Sequence, residues 1–390
     1  MYRFCTVLYW LFNHAFVNFY PAHAMPQPDA LIPVQAIKGR GSATRMAHRF
    51  SVDAREGFDD GWETTAERAS SAHESAPPAT QVRMEDVRSV ITPNDSPDIF
   101  FDYSINPYRG CEHGCVYCFA RPTHSYLGLS PGLDFETQII AKRNIASVLQ
   151  QELARPSYVP RSLNIGSATD CYQPVERDLM LTRSVLALLG ACKHPASLLT
   201  KSSGVERDID LLAPMAHAGL AAVYVSVTTL DGALARILEP RAAAPHRRLR
   251  TIAELAKAGI PVGVSVAPQI PFINEDMEQV LDAAAQAGAT SAFYTVIRLP
   301  WEISPLFQEW LSLHYPQRAE RVMARIREMR GGKDYKSDFA SRMKGEGVWA
   351  QLLKQRFDKT CARLGLKRQR HELDTSRFDA RCWDAQTALF

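Results

Sequence analysis

Three cysteines lie within eight consecutive positions of this 390-residue chain, in the stretch RGCEHGCVYCFARP. Cys111, Cys115 and Cys118 provide three thiols, whereas a structural zinc site needs four ligands, so that His113 or His124 would have to complete it. The same spacing can instead hold three irons of a [4Fe–4S] cluster and leave the fourth iron open to an outside ligand. The spacing alone leaves both kinds of metal centre open.

The other five cysteines are spread over the chain without pairing at short spacing: Cys5, Cys171, Cys192, Cys361 and Cys382. Disulfide-dense proteins are short and secreted, whereas a chain of this length with 46% hydrophobic residues can bury a core without cross-links. We therefore expect no disulfide scaffold. The three clustered thiols predict a ligand set in a reducing, cytoplasmic compartment.

The charge balance is close to neutral, with 45 basic against 42 acidic residues and a net charge of +3. This excess is far below that of a protein that coats nucleic acid, so charge neither requires nor excludes a nucleic-acid partner. Two basic stretches, 245–250 and 363–371, are the only support for nucleic-acid binding as the primary function. Solvated helix faces are their simpler explanation.

Residues 1–24 imitate a secretory signal, because they are apolar and aromatic and end in an A-x-A pattern. Such a signal would contradict a reducing compartment. The apolar run is interrupted by polar residues, among them Asn13 and His14, and Met25 follows it directly. Our preferred interpretation is that translation starts at Met25 instead of Met1. No other segment approaches the roughly 20 apolar residues of a membrane span, so no membrane association is expected.

The rest of the chain divides into three predicted regions. Residues 25–95 are rich in Pro, Ser and Ala and show no sustained period, which predicts an irregular N-terminal arm. Residues 96–300 alternate short apolar runs with amphipathic stretches of helical length, and 301–390 are predicted to form a C-terminal helical extension. The predicted strands cover 162–166, 196–200, 221–227, 261–267 and 291–297. The predicted helices lie near 137–154, 179–192, 206–218, 246–259 and 276–287.

Apolar strands that are each followed by a helix favour an α/β fold with parallel pairing, curled by right-handed crossovers into a barrel or open barrel. In such a fold the functional residues gather where strands end and loops begin. Polar segments follow the predicted strands here, including SATDCYQPVE after Gly166 and KSSGVERD after Thr200. The sequence therefore predicts one site at this edge of the sheet.

The motif CEHGCVYC, with an aromatic residue before its last cysteine, resembles the signature of the radical S-adenosylmethionine (radical SAM) superfamily. That superfamily carries the loop after the first strand of a partial (β/α)6 TIM-type barrel, and DIFFDYSINPYRG supplies such a strand. The resemblance implies that Cys111, Cys115 and Cys118 hold a [4Fe–4S] cluster whose free iron binds S-adenosylmethionine. One electron from a donor such as flavodoxin or ferredoxin would release a 5′-deoxyadenosyl radical. Tyr117 would lie beside the adenine.

Further blocks, among them TDCYQPVE, LLTKSSGVERDIDLL and ILEPRAAAPHRRL, resemble the family related to spore photoproduct lyase, often labelled DNA repair photolyases. Other blocks, such as KGRGSATRMAHRF, are similar to an uncharacterised bacterial subgroup. The resemblance implies that Lys201 and Ser226 contact the carboxylate or ribose of S-adenosylmethionine. Asp170, Glu176 and Arg241 are further cofactor-binding candidates, although helix capping and ion pairing explain them equally well.

One departure from the lyase pattern affects the predicted reaction. The lyase returns hydrogen to its product from a cysteine, and that position is Ser167 here, whose hydroxyl holds its hydrogen too strongly. Cys171 is a nearby thiol and a candidate donor, although an incidental small residue is its simpler explanation. Because Ser167 stands at the donor position, reversal of a DNA lesion is not supported. The first hypothesis is a radical enzyme with an unidentified substrate, nucleic acid among the candidates. The second is a non-radical protein with structural zinc or an electron-transfer cluster.

Overall fold

The computed structural model describes residues 34–51 and 78–382. The predicted leader 1–24 and about half of the predicted arm, residues 25–33 and 52–77, lie outside these ranges. Ten strands are found in the described part of the chain, β1 to β10 in order: Gln81–Glu85, Thr92–Pro93, Tyr103–Ile105, Tyr108–Arg109, Gln138–Lys142, Leu163–Ile165, Ala196–Thr200, Ala221–Ser226, Val262–Ser265 and Ser291–Phe293.

Helices follow most of the strands. Within the same ranges the α-helices, α1 to α11, are Leu133–Thr137, Ile145–Leu153, Glu176–Leu179, Leu181–Ala191, Ile209–His217, Gly232–Leu238, Pro245–Lys257, Met277–Gln286, Ile303–His314, Ala319–Glu328 and Gly347–Leu364. Two 3-10 helices cover Arg121–Leu127 and Ser203–Asp208. None of the helices in the described ranges is long and apolar enough to cross a membrane.

The main sheet has seven strands in the order β10-β9-β8-β7-β6-β3-β2. All neighbours from β3 to β10 pair in parallel, and only β2 is antiparallel to its neighbour β3. Six parallel strands with helical crossovers confirm the predicted α/β class and the partial (β/α)6 arrangement. The sheet ends at β10 and β2, and the described strands do not pair across these two edges.

The two faces of this sheet differ in polarity. Ile165, Leu198, Val223 and Val264 point to one face and join the core that also contains helix residues such as Leu186. Residues of alternate register point to the opposite face and carry buried polar side chains beside the buried Ala222 and Tyr224. They include Ser104, Asn164, Ser197, Ser226 and Ser265. The expectation of apolar strands covered on both faces is therefore correct for one face only, and the other face offers hydroxyl and amide groups.

A second, small sheet corrects two predictions. Residues 138–142, predicted as the start of a helix, form β5, which pairs in parallel with β1 and antiparallel with β4. The helix begins only at Ile145. The partner strand β1 lies within the arm that was predicted to be irregular, so that prediction is wrong for Gln81–Glu85. The backbone hydrogen bonds of this five-residue strand come from its pairing with β5, which the local sequence pattern of Gln81–Glu85 does not predict.

The segment after α11 runs along the starts of several strands. Lys367 exchanges backbone hydrogen bonds with Thr290 and Ala292 at β10, and the Asp374 amide donates to the Gly219 carbonyl before β8. Cys382 is joined to Cys192 by a disulfide with Cα atoms 4.9 Å apart. This pair departs from the expectation of reduced cysteines. Its members are 190 residues apart in sequence, so their spacing carried no signal.

Candidate functional site

The loop that carries the three cysteines begins directly after β4 and leads into the 3-10 helix Arg121–Leu127. Gly110 and Gly114 have positive φ angles of 80° and 66°, a region that glycine adopts without steric cost. A side chain at Gly114 would collide with the carboxylate of Glu136. The amide of Cys111 donates to the carbonyl of Phe135 at 2.9 Å and fixes the start of the loop.

The thiols are largely withdrawn from water. Cys111 and Cys115 are 6% and 7% exposed, whereas Cys118 is partly exposed. Burial raises the pKa of Cys111 well above its ordinary value and that of Cys115 to about 12, although Lys201 acts in the opposite direction on Cys115. These two thiols are therefore neutral without a cation, and metal binding would have to displace their protons.

The side chains between the cysteines are held by other groups. The Glu112 carboxylate accepts from the Val175 amide at 2.7 Å and the Thr80 hydroxyl at 2.9 Å, and it pairs with Arg241 at 3.2 Å. His113 Nδ1 lies 3.3 Å from an Asp170 carboxylate oxygen. Glu112 and His113 therefore have protein partners, and the three thiols are the side chains of this loop best suited to bind a soft metal ion.

The donor set of the loop fits a cluster with three protein ligands. His124, the second histidine considered as a zinc ligand, has its Nε2 3.0 Å from the Gln138 carbonyl. Within the described ranges, no three His, Cys, Asp or Glu side chains converge as a single-ion site. A tetrahedral zinc ion needs a fourth ligand beside the three thiols, whereas a [4Fe–4S] cluster can be held by three thiolates alone.

Lys201 follows β7 and lies half-buried beside the cysteine loop. Its Nζ is 5.8 Å from the centre of the Tyr117 ring, and no ion pair involves it among the residues that the structure describes. Burial lowers the pKa of Lys201, but the negative charges of a Cys115 thiolate and of the Glu239 carboxylate outweigh this effect, so the net direction is upward. Lys201 is thus a protonated ammonium next to the thiols, in surroundings that favour an anionic partner.

Glu239, which follows α6, organises the surroundings of Tyr117. Its carboxylate accepts hydrogen bonds from the Tyr117 hydroxyl and from the Thr228 hydroxyl, the latter at 2.6 Å. It also pairs with Arg248 at 2.5 Å, with both side chains almost completely buried. Arg248 in turn donates to the Ser226 carbonyl at 3.1 Å. Sequence reasoning missed Glu239 and Arg248, and the only available signal was two opposite charges within the block ILEPRAAAPHRRL.

Asp170 connects three loops by its carboxylate. It accepts from the Thr200 hydroxyl at 2.7 Å, from the Lys201 amide at 2.7 Å and from the Tyr172 amide at 2.9 Å. Burial alone would raise the pKa of Asp170, but His113 and these hydrogen bonds lower it far below its usual range. Asp170 therefore remains an anion, and its described contacts are with the protein itself.

The sequence matches the Radical SAM superfamily over residues 105–284. It is 38% identical over 232 residues to "Uncharacterized protein Rv2578c" of Mycobacterium tuberculosis, which covers 59% of this chain and 67% of that protein. It is 26% identical over 220 residues to "Uncharacterized protein MJ0683" of Methanocaldococcus jannaschii, which covers 56% of this chain and 79% of that protein. This chain belongs to the radical SAM superfamily.

The fold of this radical SAM protein is also similar to that of solved structures. A mutant of spore photoproduct lyase superposes with a TM-score of 0.50 at 16% identity, covering 74% of this chain and 82% of that chain. An identity this low shows a common fold alone. The predicted superfamily is confirmed, and the fold agrees with the predicted branch.

The remaining predicted residues of this radical SAM protein lie around the site with other partners. Glu176 is 1% exposed and is held by the Tyr108 hydroxyl, the Thr182 amide and Arg207. Cys171 is fully buried in the main core, where its Sγ lies 4.0 Å from the Ile165 carbonyl. These contacts are those of structural residues, so the proposed cofactor role of Glu176 and the donor role of Cys171 gain no support from them.

Ser167 and Ser226 complete the set of singled-out residues. The Ser167 hydroxyl accepts from the Asn106 side chain at 3.1 Å. Ser226 ends β8, is 3% exposed and lies on the polar face of the sheet. Arg241 binds the cysteine loop, because its amide donates to the His113 carbonyl at 3.2 Å in addition to its pair with Glu112. Tyr117 and Ser226 are joined through Glu239 and Arg248, and Lys201 lies beside the Tyr117 ring.

Proposed function

We propose that this protein is a radical SAM enzyme that cleaves S-adenosylmethionine reductively and abstracts hydrogen from a substrate. A [4Fe–4S] cluster with bound S-adenosylmethionine would supply the electron transfer and the 5′-deoxyadenosyl radical. One observation carries the proposal: three thiols share a loop, with Cys111 and Cys115 buried and Cys118 partly exposed, and an ammonium lies beside them. This arrangement leaves room in the ligand set for an outside ligand with a carboxylate.

The residues around the thiols have distinct proposed roles. Cys111, Cys115 and Cys118 would hold the cluster. Lys201 would bind the carboxylate of S-adenosylmethionine, since a charge-assisted contact is strong in surroundings with little water. Tyr117 and Ser226 would contact the nucleoside part. Their positions depend on protein contacts, because Glu239 accepts from Tyr117 and Arg248 donates to the Ser226 carbonyl.

The substrate is expected to lie against the polar face of the main sheet. Ser104, Asn164, Ser197 and Ser265 present hydroxyl and amide groups there, while the opposite face is sealed by the helices. Buried polar groups are costly unless they are hydrogen-bonded, so this face favours a substrate that is itself polar. A nucleic acid would meet this requirement, and so would other polar molecules.

Anaerobic reconstitution with iron and sulfide, followed by reduction with dithionite, tests the proposal. Release of 5′-deoxyadenosine from S-adenosylmethionine is expected for the wild-type protein and not for Cys118→Ala, since one lost thiolate removes a cluster ligand. Cys361→Ala is the matched control, because Cys361 lies in α11 and should not affect the reaction. Purified anaerobic protein that contains zinc, or that binds a cluster without cleaving S-adenosylmethionine, would favour the non-radical alternative.

A further inference from the structure

Four exposed aromatic side chains lie around the cysteine loop and the start of α9. They are Phe50, Phe119, Tyr126 and Trp301, with exposed fractions of 52%, 47%, 70% and 63%. We call them the aromatic surface. Single exposed apolar residues are common, but a group of large aromatic side chains is typical of an interaction site.

One arginine joins three of the rings, and a second arginine contacts the fourth ring, Phe119. The Arg49 guanidinium lies 4.0 Å from the ring centre of Trp301, 5.2 Å from that of Phe50 and 5.5 Å from that of Tyr126. The Arg298 guanidinium lies 4.5 Å from the ring centre of Phe119, and Trp301 follows it three residues later. The rings are therefore held by cation–π contacts and are ordered before any partner binds.

The aromatic surface adjoins the proposed cluster. Phe119 follows Cys118 directly in the chain, and Cys118 is the least buried of the three cysteines. Cys111 and Cys115 are only 6% and 7% exposed as whole residues and offer no comparable approach from solvent. A protein that binds the aromatic surface would thus come close to the cluster from outside.

The charges at this surface distinguish between two kinds of partner. Arg45 pairs with Asp134 at 2.9 Å and Arg49 pairs with Glu302 at 3.6 Å, whereas Arg298 has no ion pair in the described part of the chain. Three arginines and two carboxylates leave one positive charge. Nucleic acids need several free cations for their phosphates. Aromatic residues and arginine with few free charges are instead typical of the centre of a protein interface.

We propose that the aromatic surface is the docking site of a small acidic protein that carries single electrons. The inference rests on the proposed function, because the aromatic surface would be where the electron for reductive cleavage of S-adenosylmethionine reaches the protein. The reduced carrier loses one electron and the cluster gains it, and no bond forms or breaks in this transfer. The weak positive charge favours an acidic face on the carrier, and the rings supply apolar contact area.

Comparison of two reductants tests the docking site. The double variant Tyr126→Ala/Trp301→Ala removes the two most exposed rings, and Val348→Ala/Leu352→Ala removes exposed apolar side chains of α11 as the matched control. With limiting reduced flavodoxin, we expect about a tenfold slower release of 5′-deoxyadenosine from the first variant only, the usual scale for loss of aromatic anchors. With dithionite, which needs no docking, all three proteins should react within about a factor of two of each other.

The outcomes separate docking from catalysis. An equal loss with both reductants would mean that the rings support the catalytic site, and no loss with flavodoxin would overturn the docking site. Undiminished flavodoxin-dependent release together with weaker binding of a single-stranded oligonucleotide would assign the surface to nucleic acid. If wild-type protein releases no 5′-deoxyadenosine even with dithionite, the proposed function fails, and calorimetric titration with flavodoxin still decides whether the aromatic surface binds it.

Discussion

Lys201 and Glu239 show how single residues set the charge beside the thiols. Lys201 lies near neutral, buried Cys115, whereas the negative charge of Glu239 is shared by Arg248, Thr228 and Tyr117. An isolated charge is costly to bury, so each charge requires a partner. Glu239 has its partners in the protein. Lys201 has none at hydrogen-bonding distance in the described ranges, which is the physical reason for its assignment to a ligand.

Replacement of Lys201 tests this assignment at the scale of one residue. For Lys201→Met we expect S-adenosylmethionine to bind about 10- to 100-fold more weakly, the range for loss of a hydrogen bond to a charged group. The iron content should not change, because Lys201 is not a metal ligand. Equilibrium dialysis with anaerobically reconstituted protein measures both quantities. Lys257→Met is the control on an exposed helix end, and equal weakening by both variants would contradict the assignment.

At the scale of elements, the segment 40–46 fastens the back of the cysteine loop. The amides of Gly41 and Ser42 donate to the Glu136 carboxylate at 3.0 and 2.9 Å. Arg121 pairs with the same carboxylate at 2.5 Å, and both side chains are fully buried. Arg121 also donates to the Gly114 carbonyl at 3.0 Å, so the N-terminal segment, α1 and the loop share one polar network. Such networks are stable only when all their members are satisfied.

A methyl group at Gly41 should open this network. A Cβ at this position would overlap the Gly114 carbonyl, which is backbone and cannot move away cheaply. We expect Gly41→Ala to lose about 1–3 kcal/mol of unfolding free energy through steric overlap. It should also lose its iron–sulfur absorbance faster in air, since the displaced segment exposes the loop. Gly232→Ala is the control, because nothing lies within 4 Å of its Cβ, and equal bleaching rates would contradict the role of the segment.

At the scale of the whole molecule, the segment after α11 joins parts that are distant in sequence. Arg370 lies against the rings of Phe100, Phe293 and Tyr224 at 3.2, 3.7 and 4.4 Å. Phe378 packs 5.2 Å from the His194 ring, whose Nε2 is 2.7 Å from the Tyr158 hydroxyl. These contacts connect the segment to β8, to β10 and to the turn after α4, so its attachment should contribute to the stability of the sheet.

His194 makes this attachment dependent on pH. Burial lowers the pKa of His194 from 6.5 to about 4. Between these values the unfolded chain binds a proton that the folded chain does not, so stability rises with pH and falls as the solution becomes acidic. We expect about 2 kcal/mol less unfolding free energy at pH 5 than at pH 7.5 from this group.

Urea denaturation at both pH values measures the effect. His194→Gln keeps a polar side chain without the titration and should remove this part of the difference between the two pH values. The exposed His246→Gln should leave the difference unchanged. A pH dependence that is identical in the wild type and His194→Gln would show that His194 does not carry it.

The sequence by itself determined the parts of this protein whose signals are local. Cysteine spacing identified Cys111, Cys115 and Cys118 and pointed to the superfamily, and apolar runs located the strands β6 to β10 within a few residues. Each of these features depends on neighbours within one loop or one strand. Lys201 was singled out by the resemblance of the block LLTKSSGVERDIDLL to the lyase family, which is also a local signal.

Only the tertiary structure decided the partners. β5 was predicted as helix because its partner β1 lies 57 residues upstream, and pairing prevailed over local pattern. Glu239 with Arg248, Glu136 with Arg121, and Cys192 with Cys382 likewise depend on where the folded chain places them. A charged side chain is tolerated in the interior only where it forms an ion pair. Which residues form such a pair depends on the three-dimensional packing, which the spacing of residues along the sequence does not predict.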